Sequence, residues 1–507
     1  MEPISKKVYL QLDMPTDEDG RSDQLRIRQA LQDLGYDHIF FPVTILSSLY
    51  PLCRNADYKI TVSLVRRELD WAATRVEPGD TRSAHYGLAV DYGSTTVVMQ
   101  FVDLTTGEII AEEKQVNRQT AYGTDILTRI TYGLESQDHK QDLQTATVET
   151  FHSLLQKLTE RTGIDAKNLP AMVISGNTTM IHFLLKLDAW TVFASPYAPV
   201  CTDPGFLWGC ELGIDFGGLI YIIPSASNYI GGDIVSGLLK LDIHKKQETS
   251  LFFDIGTNGE LVIANRDFMM AGAGAAGPAL EGYISKFGMR AEPGAIDHVK
   301  IENGILNYTT IANQPPIGIC GSGIIDLLAQ LRINGWIDIA GSLIPDANPN
   351  IQKIGGEYGV IYANTADGAP LYFSQTDIMQ YIDTKAAAYT MMECLLAEVG
   401  ISMEQIDTLY LSGAFPAHSD LESAITIGIF PDLPREKYRC IPNTSLDGAR
   451  ILLTDRSRMA DVKRLSEELY CLQFASVPDF IVRMQAAKFI PHTDMDRYPT
   501  VRKLLKE

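Results

Sequence analysis

The feature that most constrains this chain is a pattern that occurs twice. Leu88-Ala-Val-Asp-Tyr-Gly-Ser-Thr-Thr-Val-Val-Met-Gln-Phe-Val-Asp103 is an apolar run that ends in Asp91, turns over Gly93 with hydroxyls at Ser94, Thr95 and Thr96, and resumes as a second apolar run. Leu251-Phe-Phe-Asp-Ile-Gly-Thr-Asn-Gly-Glu-Leu-Val-Ile263 repeats it, with Asp254 at the strand end and Gly256, Thr257 and Asn258 in the turn. Each stretch predicts two antiparallel strands joined by a tight turn. Each is followed by another turn and a third strand, at Leu104-Thr-Thr-Gly107 and at Asn265-Arg-Asp267. Later in each half a strand ends in Ser-Gly, in Met172-Val-Ile-Ser-Gly-Asn177 and in Leu409-Tyr-Leu-Ser-Gly-Ala-Phe415, and an apolar helix-like stretch follows. The same order of elements, met twice, predicts a duplicated α/β domain whose two Asp–Gly turns face each other across a cleft.

The turns carry chemistry of their own. Backbone N–H groups and hydroxyls in such a turn can cradle a phosphate chain. A carboxylate at the strand end can hold Mg²⁺ through water, the usual arrangement beside phosphates. A single Asp-x-Gly-Ser-Thr is equally an ordinary hairpin turn; the recurrence is what singles out Asp91 and Asp254. Pro224-Ser-Ala-Ser-Asn-Tyr-Ile-Gly-Gly-Asp233 runs into an apolar helix from Ile234 to Leu241. Gly231 and Gly232 permit close backbone approach. Asp233 serves there either as a charge at a helix start or as the carboxylate that orients a nucleophilic water. Gly318-Ile-Cys-Gly-Ser-Gly323 opens a helix from Ile324 to Ile333, and its Gly321, Ser322 and Gly323 suit an anion. Beside Ser412, Gly413 and Ala414 lack bulk, so a flat base can slide against the backbone next to Phe415. The tiny residues from Ala271 to Ala276 permit either tight packing or the approach of a ligand or partner.

Bulk properties narrow the class. With 507 residues the chain has room for three or four domains and ample core. It is 45% hydrophobic and 21% charged, ordinary for a soluble globular protein. A net charge of −20 argues against nucleic acid or an anionic membrane as partner, since both call for a basic face. No signal peptide is read at the N-terminus, and no apolar run approaches the length of a membrane span. The seven cysteines are scattered, without Cys-x-x-Cys spacing, which points to reduced, mostly buried thiols and a cytoplasmic protein.

In chain order, residues 1–83 predict a small α+β domain. Its strands lie at Lys7 to Leu12 and Tyr58 to Leu64, and Ser22 caps a helix that runs to about Leu34. Residues 84–245 form the first half of the duplicated body, with a helix from Gln144 to Leu158 and a core histidine at His182. Residues 246–507 form the second half and a C-terminal extension. That half holds a long helix from Asp377 to Leu396 with a solvated or interface lysine at Lys385. Ile427 to Pro431 and Asn443 to Ala449 read as loops around short helices, and the tail after Pro478 as a helix and a strand.

Asp91-Tyr-Gly-Ser-Thr, Asp254-Ile-Gly-Thr-Asn and Ser412-Gly-Ala-Phe415, in that order, resemble the phosphate-1, phosphate-2 and adenosine motifs of the acetate and sugar kinase, heat-shock chaperone and actin superfamily. Within it the chain is most similar to the reductive activators of corrinoid-dependent enzymes. Tyr86 to Thr96, Ser175-Gly-Asn-Thr-Thr-Met180, Ala275 to Gly282, Gly318 to Gly323 and Asn443-Thr-Ser-Leu-Asp-Gly-Ala449 carry that likeness. Arg21-Ser-Asp23 and Val76-Glu-Pro-Gly-Asp80 extend it to the leader, so it covers nearly the whole chain. The resemblance implies two actin-like (ribonuclease H-like) halves with ATP between them. It also implies ATP-dependent reduction of an inactivated cobalt(II) corrinoid protein to cobalt(I). Carried over, Asp91 and Asp254 hold Mg²⁺ through water, Gly93 to Thr96 and Gly256 to Asn258 bind phosphates, and Gly413 to Phe415 border the adenine.

The chain departs from that family in one respect. Family members usually carry an iron–sulfur cluster, often in an N-terminal ferredoxin-like domain with closely spaced cysteines, and no such cysteines occur here. The expectation is therefore ATP and Mg²⁺ without a cluster in this chain. A corrinoid protein and a separate ferredoxin-like electron donor are the expected partners, and a homodimer is allowed. The alternatives are ATP-driven remodelling of a partner without electron transfer, or a shortened chain. Two other functions fit the same fold: a small-molecule kinase with Asp233 as base, and a nucleotide-gated scaffold without turnover.

Overall fold

The computed structural model describes residues 2–256, 259–274, 284–413 and 419–506. The chain forms two compact units. The first comprises Met1–Asp242 and Thr444–Glu468, and the second Ile243–Asn443 and Leu469–Glu507.

The first unit opens with a four-stranded sheet of order β1-β3-β4-β2, made of β1 (Ser5–Gln11), β2 (Ile39–Phe40), β3 (Lys59–Arg66) and β4 (Trp71–Pro78). Alternation puts Val8 and Leu10 on one face with Ile60, Val62 and Leu64, where the helices Asp23–Asp33 and Val43–Asn55 bury Ile27, Leu31, Ile45 and Leu49. Ser22 caps the first helix as its sequence predicts, accepting from Leu25 N at 3.2 Å.

The body of this unit is a six-stranded sheet of order β7-β6-β5-β8-β10-β9. Its strands are β5 (Tyr86–Tyr92), β6 (Thr96–Asp103), β7 (Ile109–Val116), β8 (Ala171–Gly176), β9 (Gly205–Trp208) and β10 (Leu219–Ile222). β5, β6 and β7 form an antiparallel meander; β8 then runs parallel to β5, and β10 parallel to β8. The period-2 rule divides β5 between two environments. Leu88, Val90 and Tyr92 join the core with Phe151, Leu154 and Leu158 of the helix Gln137–Thr162. Gly87, Ala89 and Asp91 alternate with them, on the opposite face. There a Cβ on Gly87 would sit 3.0 Å from Leu453, so the helix Thr444–Thr454 lies close to the strand. The helix predicted over Gln144 to Leu158 is longer at both ends, since Ser136 caps its start and Gly163, with φ +72°, closes it.

The second unit repeats the plan with the order β21-β20-β11-β12-β13-β22. β11 (Ser250–Ile255), β12 (Gly259–Ala264) and β13 (Met269–Gly274) form the meander. Two three-stranded sheets follow. The first contains β14 (Ala295–Glu302), β15 (Ile305–Thr310) and β16 (Gly318–Ile319); the second contains β17 (Ile351–Ile354), β18 (Glu357–Asn364) and β19 (Pro370–Ser374). β20 (Thr408–Ser412) runs parallel to β11 and β21 (Tyr438–Ile441) parallel to β20, while β22 (Tyr470–Cys471) closes the far edge. Numbered within each half, both large sheets share the run third, second, first, fourth; the first continues with its sixth and fifth strands, the second with its fifth, its sixth lying beside the third. This is the duplicated α/β, actin-like architecture that the repeated motif predicts. Among the described residues no helix is long and apolar enough to cross a membrane.

Several local expectations are corrected. Lys385 is not solvated but 1% exposed, and its Nζ donates to the carbonyls of Phe489 and Pro491. Asn443 to Ala449 is not a loop: all but its first residue lie in the helix Thr444–Thr454. The helix after Gly318 begins at Gly321 rather than Ile324, because Gly318 and Ile319 form a strand. The tail holds two helices, Phe480–Ala487 and Pro499–Leu505, in place of a helix and a strand. The cysteines are not mostly buried: Cys53, Cys320 and Cys394 are, whereas Cys210 and Cys440 are exposed. His182 is the expected core residue, with Nδ1 on the Thr178 carbonyl at 2.7 Å and Nε2 accepting from Val200 N at 3.1 Å.

Candidate active site

Each large sheet carries one acidic corner, and the two corners have the same register. In the first unit Asp91 stands beside Ser175 of the parallel strand β8, and Gly176 follows. In the second Asp254 stands beside Ser412 of the parallel strand β20, and Gly413 follows. Both acids lie one residue from the end of the first strand of a meander, where the chain leaves the sheet and ladder hydrogen bonds stop.

The first corner is tied down from several directions. The Asp91 carboxylate is half-buried, and its Oδ1 accepts from Ser445 Oγ at 2.8 Å. Ser445 Oγ lies 2.9 Å from Ser175 Oγ, which reaches the Gly232 carbonyl at 3.1 Å. The turn after Asp91 is held through its carbonyls. Asn117 Nδ2 donates to Gly93 O at 3.0 Å, Asn117 N to Thr95 O at 2.8 Å, and Arg129 Nη1 to Ser94 O at 2.7 Å. Asn117 and Arg129 are fully buried. Gly93 is obligatory for this turn, since a Cβ there would lie 2.5 Å from Thr96 O.

Asp233 belongs to the same corner. It is the second residue of the helix Gly232–Leu241, with Oδ1 accepting from Ile234 N at 2.9 Å. The packed Gly231–Gly232 turn places it: a Cβ on Gly231 would strike Asn177 Cα at 2.4 Å, and one on Gly232 the Ile223 carbonyl at 2.4 Å. The Asp233 carboxyl is pushed up to about 7, first by burial and further by the charge of Asp91, against the opposing pull of backbone N–H groups. A buried carboxyl raised towards neutrality by its surroundings is common equipment of acid–base chemistry.

In the second corner Asp254 faces Glu260 across the hairpin and Ser412 across the parallel pair. Gly413 has φ +103°, and a Cβ there would lie 2.1 Å from Ile255 O and 3.4 Å from Asp254 Oδ1. Only glycine can bring the backbone so close to that carboxylate. Among the described residues, nothing lies within 4 Å of the Cβ position of Gly256. Thr257, Asn258, Ala414 and Phe415 lie outside the described residues. Gly321, Ser322 and Gly323 open the helix Gly321–Ile333 against β14. Ser322 Oγ donates to Asp297 O at 2.9 Å, and a Cβ on Gly323 would meet Ile296 O at 2.4 Å. Tight helix–strand packing requires glycine at position 323.

The structure thus brings Asp91, the Gly93–Thr96 turn and Asp233 together in one unit, and Asp254, Gly256 and Gly413 together in the other. Sequence reasoning missed Ser445, Asn117 and Arg129 as parts of the first corner, and gave Ser175 no role. A signal existed for Ser175, whose Ser-Gly step recurs at Ser412. For Ser445 the family-like stretch Asn443 to Ala449 drew attention to the segment, but nothing local linked it to Asp91, which lies 354 positions away.

Comparison with known proteins bears on the family and the fold. Three family profiles match in succession: the RACo linker region over residues 1–83, the RACo middle region over 86–246, and the C-terminal domain of RACo, the ASKHA domain, over 248–502. The corrinoid activation enzyme RamQ of Eubacterium limosum is 31% identical over 410 residues, which cover 78% of this chain and 69% of the relative. The Co(II) methylated amine-specific corrinoid protein reductase of Methanosarcina barkeri is 23% identical over 429 residues, 76% of this chain and 73% of the relative. A solved structure, a reductive activator for corrinoid, iron-sulfur protein, matches with a TM-score of 0.87 at 34% identity and covers 98% of this chain and 81% of that one.

Proposed function

This chain belongs to the family of reductive activators of corrinoid-dependent enzymes, and on that premise we propose that it is an ATPase that supports reduction of a corrinoid protein from cobalt(II) to cobalt(I). The single electron comes from a separate ferredoxin-like donor, and ATP binding and hydrolysis favour the otherwise uphill transfer by stabilising the reactive conformation. The observation that carries the reading is the matched register of Asp91 with Ser175 and Asp254 with Ser412, each followed by glycine. The names of the relatives support the corrinoid assignment.

In this reading Asp91 and Asp254 would hold Mg²⁺ through water. The donor set fits that ion: hard carboxylate oxygens at half-buried strand ends, with glycine turns beside them. Magnesium supplies neutralisation of the phosphate charge. Gly93, Ser94, Thr95 and Thr96 bind phosphate from one unit, and Gly256, Thr257 and Asn258 from the other. Gly321 to Ser322 and Gly323 complete the nucleotide contacts, and Gly413, Ala414 and Phe415 border the base. Asp233 takes the proton of the attacking water at its carboxylate. We assign residues 1–83 to the linker domain and 84–245 and 246–507 to the two actin-like halves, with the segment Thr444–Glu468 returning to the first.

The test is ATP hydrolysis by the purified chain with and without a cobalt(II) corrinoid protein and a reduced ferredoxin, following cobalt(I) by absorbance. Stimulated release of free phosphate together with cobalt(I) formation is expected. A phosphorylated small molecule in place of free phosphate would make the protein a kinase, and no turnover with any corrinoid protein would leave a scaffold. Asp91→Ala and Asp254→Ala are each expected to reduce turnover by about 100-fold or more, the scale of losing charge stabilisation beside a transferring phosphoryl group, with the far-ultraviolet circular dichroism unchanged.

A further inference from the structure

We infer that Ser445, backed by Ser175, is a positioning residue that orients the Asp91 carboxylate for the metal. The inference rests on the reading of Asp91 given above and extends it to a segment more than 200 residues beyond the last strand of the first sheet.

The argument is one of proton counting in a dry place. Ser175 is fully buried and Ser445 is 6% exposed. Asp91, when ionised, only accepts hydrogen bonds, so the 2.8 Å contact uses the Ser445 hydroxyl proton. Ser445 Oγ is then left as an acceptor, and Ser175 can donate to it at 2.9 Å or to the Gly232 carbonyl at 3.1 Å. When Ser175 donates to Ser445, the two hydroxyls form a directed chain that starts in β8 and ends on a single oxygen of Asp91, with the Gly232 carbonyl as a competing acceptor for the Ser175 proton.

A carboxylate with one oxygen accepting from a buried donor cannot rotate freely, and its plane is held in a set direction. Pre-orientation of this kind lowers the cost of ordering the group when a metal arrives. The carrier is suited to the task. Ser445 sits in the first turn of the helix Thr444–Thr454, which is pinned against the helix Gly232–Leu241 by the Lys240–Asp447 ion pair at 2.9 Å. It also packs too tightly there for any side chain at Gly448, where a Cβ would meet Ser236 O at 2.2 Å. The hydroxyl is thus presented by a rigid element.

The experiment measures binding, not turnover. Affinity for a fluorescent ADP analogue is determined by titration with Mg²⁺ and with EDTA, for the intact chain and for Ser445→Ala, Ser445→Thr and Asp91→Asn. Ser445→Ala is expected to weaken Mg-nucleotide binding about tenfold, with metal-free binding unchanged and the thermal midpoint within a few degrees of the parent. Ser445→Thr, which keeps the hydroxyl, is expected to recover most of the loss. The inference is overturned if Ser445→Ala leaves Mg-dependent binding intact while Asp91→Asn abolishes it, or if metal-free binding falls equally. If Asp91→Asn itself has no effect on Mg-dependent binding, the assignment of Asp91 fails and this inference fails with it.

Discussion

At the scale of the residue, environment decides which of two neighbouring acids can do which job. Asp91 lies one residue from a strand end and accepts a hydroxyl from Ser445. Asp233 lies close by, surrounded by packed glycine backbone, and burial with the Asp91 charge raises it to about 7. The Asp233→Asn variant is therefore expected to bind Mg-ATP normally and to hydrolyse it about 100-fold or more slowly, the range for loss of a general base. Single-turnover measurement beside equilibrium binding separates the two effects. Arg129 poses a different problem, that of a buried cation spent on backbone carbonyls. Arg129→Met removes the donor to Ser94 O and Gly123 O and leaves buried acceptors unmet. A loss of about 3 kcal/mol in unfolding free energy is expected, together with weaker nucleotide binding.

At the scale of the element, close approach and burial carry consequences that can be measured. The helices Thr444–Thr454 and Gly232–Leu241 cross where Gly448 meets the Ser236 carbonyl. Gly448→Ala forces them apart and should cost about 1–3 kcal/mol, read as a lower denaturation midpoint. Lys385 tethers the tail carbonyls of Phe489 and Pro491 to the helix Gln375–Glu398, and burial depresses its ammonium to about 7. The unfolded chain then binds one more proton than the folded chain between about 7 and the ordinary lysine value of 10.5. Unfolding free energy attributable to this residue must rise with pH across that window and fall as pH drops towards 7. Relative to Lys385→Met, the intact chain should gain about 1 kcal/mol per pH unit between pH 7.5 and 9, measured by denaturant titration.

At the scale of the whole molecule, chain order and spatial order part company. The first unit is completed by Thr444–Glu468, which arrives only after most of the second unit has been made. Met1–Asp242 alone leaves the Gly87, Ala89 and Asp91 face of β5 without its helix. It is expected to aggregate or bind hydrophobic dyes. The same segment joined to Thr444–Glu468 through a flexible linker of about 15 residues, long enough to span a helix length, should be soluble and cooperative in thermal unfolding. Equal behaviour of the two fragments would contradict the division into units.

The repeated apolar run, acid and glycine turn was enough to determine a duplicated α/β body and the positions of Asp91 and Asp254. Strand alternation, turn chemistry and helix caps act over a few residues and leave a mark in local order. The Gly231–Gly232–Asp233 step was legible as a close approach at a helix start, though not as a partner of Asp91. Three things were decided only by tertiary structure: that Ser445 touches Asp91, that Lys385 is buried under the tail, and that Arg129 holds the turn after Asp91. Each joins residues far apart in the chain through a contact that no periodicity encodes. A serine, a lysine and an arginine look alike in sequence whether they face water or close a buried network. Packing alone sets the distances, and the distances turn a repeated pattern into a site.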